Sequence, residues 1–189
     1  MSESTPLIGE PLALDLVNTA PDGPDLLDTP EQLAQWLALQ ADRLHGIAHE
    51  PPTEADVIAV RAVRADTAAT LAALLAGQRP PAAALRGLEK AQAGAPLIRE
   101  LDWNGDAVVA TGRRHGPLGA TAAAALAESA IDLLTDPSIG KLKRCEADDC
   151  VLLFLPTHPR RRWCSAQRCG NRVRVARYYQ RHKPESSAD

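Results

Sequence analysis

Four cysteines, Cys145, Cys150, Cys164 and Cys169, fall close together in the last third of a 189-residue chain that has no others. Their spacing is C-x4-C-x13-C-x4-C. Two close pairs separated by a dozen or so residues can set four sulfurs in a tetrahedron, the geometry of a closed structural Zn2+ site. Free buried cysteines and two disulfides are the competing readings. Free thiols rarely gather as two pairs in a chain that has none elsewhere. Disulfides conflict with the expected compartment: the start lacks a charged segment followed by an apolar run, so a cytoplasmic location with reduced thiols is expected. Lys143, Arg144, Arg168 and Arg172 flank the pairs, and positive charge favours the thiolate that a metal requires. A segment this small buries little core, so the metal is expected to supply its folding energy, on the order of 10 kcal/mol.

Arginine is the second concentrated chemistry. Residues 1–140 carry 9 Lys/Arg and 19 Asp/Glu, whereas residues 141–183 carry 12 and 3. The net charge of −3 therefore hides an acidic body and a basic head. From Ser165, a suitable cap, to His182 the sequence reads as one helix. At about 100° per residue, Cys169, Val173 and Ala176 share a narrow stripe that can face the metal. Arg174, Arg177 and Arg181 form a second stripe, and Arg168, Arg172 and Lys183 a third, with Tyr178 and Tyr179 between the charges. Arg160, Arg161 and Arg162 extend the patch. Guanidinium groups donate to phosphate and to base edges, so these eight arginines are the candidate nucleic-acid contacts, with DNA the expected partner. The alternatives are a solvated helix and one that pairs with the acidic body.

The elements that must hold this head in place lie upstream. Leu12, Leu14 and Leu16 alternate with Ala13, Asp15 and Val17, which predicts a strand ending near Asn18-Thr19. Thr29-Pro30-Glu31 opens a helix expected to run to about His49, before Pro51-Pro52. A second runs from Thr53 to near Gly77, and a shorter one from Pro81 to Ala93. Asn104-Gly105 predicts a two-residue hairpin turn that pairs Trp103 with Asp106 and Leu101 with Val108. A long amphipathic helix follows from Leu118 and stops at Asp136-Pro137. No stretch approaches the roughly 20 apolar residues of a membrane span. The organisation is a mostly helical α+β body over 1–140, a metal-binding segment over 141–183 and a tail over 184–189.

Weaker signals have plainer explanations beside them. Asp15, Asn18 and Thr19, with Arg61 and Arg64 from the second long helix, are candidate ligand-pocket residues. Turn capping and ordinary surface arginines are the favoured explanation, because convergence is not visible in a sequence. His45 and His49 have chelating spacing on a helix but no third ligand. None of the five histidines is followed two places later by Glu, as a deaminase needs, and neither H-E-x-x-H nor G-x-S-x-G occurs. A zinc nuclease would want catalytic histidines near the metal. His158 sits by prolines and His182 at the far helix end, so no enzyme is expected. A protein-interaction or RNA-binding module is the nearer alternative.

The residues now assembled resemble a known family. Arg162-Trp163-Cys164-Ser165, then Cys169-Gly170-Asn171-Arg172, then a basic helix with tyrosine, resemble the CGNR zinc finger. The stretch from Glu10 to Thr19 looks like the opening of the ABATE domain usually joined to it. The resemblance implies a treble-clef finger: a knuckle with Cys145 and Cys150, a hairpin, then a helix carrying Cys169 near its start. It also implies a stress-response transcription regulator of bacteria whose body domain binds a small-molecule effector. One departure is Leu155-Pro-Thr-His-Pro159, where a polar turn is expected. Gly170 is expected to let backbone approach the sulfurs, Asn171 to hold a neighbouring loop, and Trp163 to cover the metal.

Overall fold

A computed structural model describes residues 8–182, so Lys183 and the 184–189 tail lie outside the described residues. The body is built from helices α1 (Leu12–Val17), α2 (Pro30–Leu39), α3 (Glu54–Leu75) and α4 (Ala82–Gly94). A hairpin, β1 (Ile98–Trp103) and β2 (Val108–Arg113), and the helix α5 (Leu118–Thr135) complete it. A 3-10 turn, Pro137–Lys141, leads into the finger. There β3 (Lys143–Arg144) pairs antiparallel with β4 (Leu153–Phe154), and a π-turn, Ala166–Gly170, opens into α6 (Asn171–His182). The chain is thus an α+β protein with a mostly helical body and a zinc-finger head. Because α3, α4 and α5 pack on one another and α1 lies against α5 and α3, Val60, Leu71, Leu88, Leu126 and Ala130 share one apolar core. By length and composition α5 is apolar enough to cross a membrane, contrary to the expectation that no stretch is. More than half of it is buried within this body.

The helix starts match expectation. Thr29 accepts from the Gln32 amide at 3.3 Å, while the Gln32 side chain accepts from the Thr29 amide at 3.1 Å, a reciprocal capping box behind Pro30. Three expectations fail. Residues 12–17 are a helix and not a strand. Leu12, Ala13, Leu14, Asp15 and Leu16 are all buried, and a short segment enclosed on every side has no polar face from which to read a period. The second helix stops at Leu39, ten residues early. The Gln40 carbonyl there accepts from the amides of Arg43 and Leu44, and His45 and His49 lie outside any helix. The hairpin register is shifted: Trp103 faces Val108 and Leu101 faces Ala110. The Asn104 side chain accepts from the amides of Asp106 and Ala107, and only Gly105 has positive φ, so the loop takes four residues.

Candidate metal centre and nucleic-acid interface

Cys145 and Cys150 occupy the loop between β3 and β4, and its strands hold that loop closed through the Cys145 amide, which donates to Leu152 O at 2.9 Å. Cys164 ends the irregular run after β4. Cys169 lies in the π-turn that precedes α6, where the Gly170 amide reaches back to Ser165 O at 3.0 Å and widens the first turn. The single helix expected from Ser165 is therefore a π-turn followed by an α-helix, with Ser165 capping the Arg168 amide. The four sulfurs lie within 4.8 Å of one another, with Cys150 to Cys164 at 3.9 Å and Cys164 to Cys169 at 3.5 Å. A tetrahedron of Zn–S bonds about 2.3 Å long spaces its sulfurs by about 3.8 Å. The site therefore fits a structural zinc ion held by four cysteines, with every tetrahedral position filled. Phe154, Leu152, Trp163 and Val173 pack around the four cysteines, so Trp163 lies against the site, where it was expected.

Electrostatics around the sulfurs are uneven. Burial pushes the Cys150 thiol up to about 11 and raises Cys164 further. Burial also raises Cys145, but the amides of Cys164 and Ala147, with the Cys169 and Cys150 thiols, together outweigh it and hold that thiol below its usual range. Zinc must displace the remaining protons, so metal affinity rises with pH. Arg172 donates to Cys169 Sγ at 3.5 Å and pairs with Asp149 at 2.6 Å, in the loop next to Cys150. It joins the two ligand-bearing segments. Among the described residues Asn171 holds no neighbouring loop; it accepts from Arg174 on its own helix at 2.8 Å. A side chain at Gly170 would meet Ser165 O at 3.5 Å, an ordinary van der Waals distance, so close approach does not explain that glycine.

The eight candidate arginines are not one surface. Arg161 turns inward, donating to Leu155 O at 3.3 Å and Trp163 O at 3.1 Å, stacking on Phe154 at 4.4 Å and pairing with Glu10 at 2.5 Å. Arg162 pairs with Glu146. Arg168 and Arg172 border a cleft of about 280 Å³ between finger and body, with Asn18, Asp22 and Leu26 on its other wall. Arg160, Arg174, Arg177 and Arg181 are exposed, the last three along one side of α6. Beyond Val173 none of the described side chains of the helix is buried. Val175, Tyr178 and Tyr179 are exposed, with Tyr178 stacked on His182 at 4.1 Å.

The candidate pocket residues are occupied with one another. Asp15 accepts from the amides of Gly9 and Glu10 and pairs with Arg43 at 2.6 Å. Arg64 donates to Thr19 and grips Asp25 through both nitrogens, while Arg61 pairs with Asp28 at the surface. Asn18 borders the cleft between finger and body, and its amide has a second use. Its Nδ2 donates to Leu153 O and its Oδ1 accepts from Leu153 N, both at 2.9 Å, closing the outer edge of β4. Glu10 extends this edge by accepting from the Leu155 amide at 2.9 Å. Sequence reasoning missed Glu10, Asp149 and Arg43 as partners; the only signal was that Glu10 opens the stretch resembling ABATE.

Two family models match the chain. ABATE, described as "Putative stress-induced transcription regulator", matches residues 10–137, and the CGNR zinc finger matches residues 141–182. No curated protein matches.

Proposed function

Since this chain belongs to the ABATE family and carries a CGNR zinc finger, we propose that it is a cytoplasmic bacterial transcription regulator that grips duplex DNA through the outward side of α6. The observation that carries the reading is the exposed row of Arg174, Arg177 and Arg181 on a helix with no Asp or Glu, fixed at its base to a metal centre. A row of guanidinium groups on a rigid element suits phosphate binding and groove entry. The filled coordination of the metal supports a structural role over catalysis. In this reading the body senses a small effector and alters how the finger is presented.

The test is fluorescence anisotropy of the zinc-loaded chain with mixed-sequence duplex DNA across a salt series. Affinity should fall steeply with salt. Arg174→Ala with Arg177→Ala and Arg181→Ala should lower the log–log slope by about 0.9 for each phosphate that is no longer neutralised. Absence of salt-sensitive binding with zinc confirmed in place would sink it. Exposed Val175, Tyr178 and Tyr179 favour a second reading, an RNA-binding or protein-interaction module, since unpaired bases and partner surfaces both use aromatic rings. Structured RNA and a partner pull-down are the comparison arms.

A further inference from the structure

A second cleft, again of about 280 Å³, lies wholly within the body, between the start of α1, the loop after α2 and one side of α5. Its polar groups come from separate elements: Arg43 and His45 from the loop, Arg114 from the foot of the hairpin, and Glu128, Ser129 and Asp132 from α5. The Arg114 side chain is only 3% exposed. It donates to Ala95 O at 2.8 Å and pairs with Glu128, yet its Nε has no partner among the described residues. Three of the four charges on its lining are paired, Arg114 with Glu128 and Arg43 with Asp15. That leaves Asp132 as the uncompensated charge of the cleft. The side chains of Asp132, Ser129 and His45 have no hydrogen-bond or ion-pair partner among the described residues. Leu12, Leu97 and Ala125 supply an apolar wall. Asp132 and His45 are exposed and Ser129 is half-buried, so a small cleft with one unpaired anion, unspent donors and an aliphatic wall is open to a small zwitterionic ligand.

We propose that this cleft binds a small aliphatic α-amino acid. Its ammonium sits on Asp132, its carboxylate on Arg43 and Ser129, and its side chain against Leu12, Leu97 and Ala125. Arg43 donates through Nη1 to Asp15 and Gln40 and through Nη2 to the Glu10 carbonyl, and its side chain is 35% exposed, so it can pair with a second anion while holding Asp15. The assignment rests on the effector-sensing part of the regulator reading and gives it a site other than the Asp15–Arg64 set. It also gives a route. Arg43 donates to the Glu10 carbonyl at 2.7 Å, and the Glu10 carboxylate holds Arg161 and the Leu155 amide of the finger. A ligand that draws on Arg43 therefore acts on the residue that docks the head.

The test is calorimetric titration of L-leucine into the full zinc-loaded chain, beside N-acetyl-L-leucine, which lacks the ammonium, and 3-methylbutylamine, which lacks the carboxylate. Leucine should bind saturably, with each truncated analogue weaker by tenfold or more. Asp132→Asn and Ser129→Ala should each weaken leucine by a similar factor while keeping the circular dichroism and zinc content of the parent. The proposal is overturned if leucine, valine and isoleucine all fail to bind the folded chain. Equal binding of either truncated analogue also overturns it, as does an unaffected Asp132→Asn variant. DNA anisotropy with and without leucine separates this inference from the regulator reading. Leucine binding with no DNA binding at all leaves the cleft standing and defeats the regulator; DNA binding without leucine binding does the reverse.

Discussion

Arg172 groups by sequence with the candidate phosphate-binding arginines, but its Nη2 is engaged by Cys169 Sγ and Asp149. A zinc tetrathiolate carries excess negative charge, and groups that donate to ligating atoms tune metal affinity by about 10–100-fold. Arg172→Ala should therefore weaken zinc retention by about that factor in a chelator competition, while Arg177→Ala leaves retention unchanged and alters only the salt dependence of DNA binding. Equal zinc affinity in both variants would return Arg172 to the nucleic-acid set. The cysteines were legible because their number and spacing have few chemical uses. The allocation of arginines was not, because it depends on partners that folding supplies. Arg161 is neutralised by Glu10, which is 151 residues away in the chain.

Among the elements, α3 and α5 are joined at their starts by one carboxylate. Asp56 accepts from the Thr53 amide and hydroxyl at 2.7 Å, completing a capping box, and from the Gly119 amide at 2.6 Å in the first turn of α5. Burial raises its pKa, but the Thr53 and Gly119 donors outweigh this and hold it below the usual carboxylate range. A group depressed on folding contributes stability that is fully present above its unfolded value and lost as pH falls through its folded value. Asp56→Asn should therefore cost about 1–3 kcal/mol at pH 7 by denaturant titration, and the gap from the parent should close below about pH 4. A gap that persists unchanged at acid pH would show that charge plays no part. Gly119→Ala should harm the same joint, because its Cβ would lie 2.5 Å from Asp56 Oδ1 and 2.8 Å from Asp56 Cα. Helices of this kind were readable because caps and breakers are local. Misread α1 shows the limit: its alternating leucines are real, but a helix six residues long and buried almost throughout shows no periodic face. The hairpin was placed correctly and its register was not, since Asn104 uses its side chain to build the turn where positive φ was expected.

At the scale of the whole molecule, the sequence showed an acidic body and a basic head but not that α1 bolts them together. Leu142 and Leu153 of the finger join the body core, while Asn18 and Glu10 satisfy the outer edge of β4 as a further strand would. Removing either Asn18 bond leaves a buried peptide group unpaired, a cost of about 1–3 kcal/mol each. Zinc removal should consequently reach the body. In a Trp103→Phe/Trp163→Phe background, Trp36, 1% exposed within the body core, becomes the only tryptophan and reports body unfolding. Stripping the metal should lower the Trp36 transition, by about 2–4 °C for each kcal/mol of docking energy removed. Adding Asn18→Ala and Glu10→Gln should lower the holo midpoint and shrink the further change on chelation, because the joint is then already broken. A Trp36 transition indifferent to zinc in the parent would mean that head and body unfold as separate units. The interface between them would then be too weak to carry a signal from the body to α6, since an effector can shift the finger only by as much as the docking energy differs between its free and bound states.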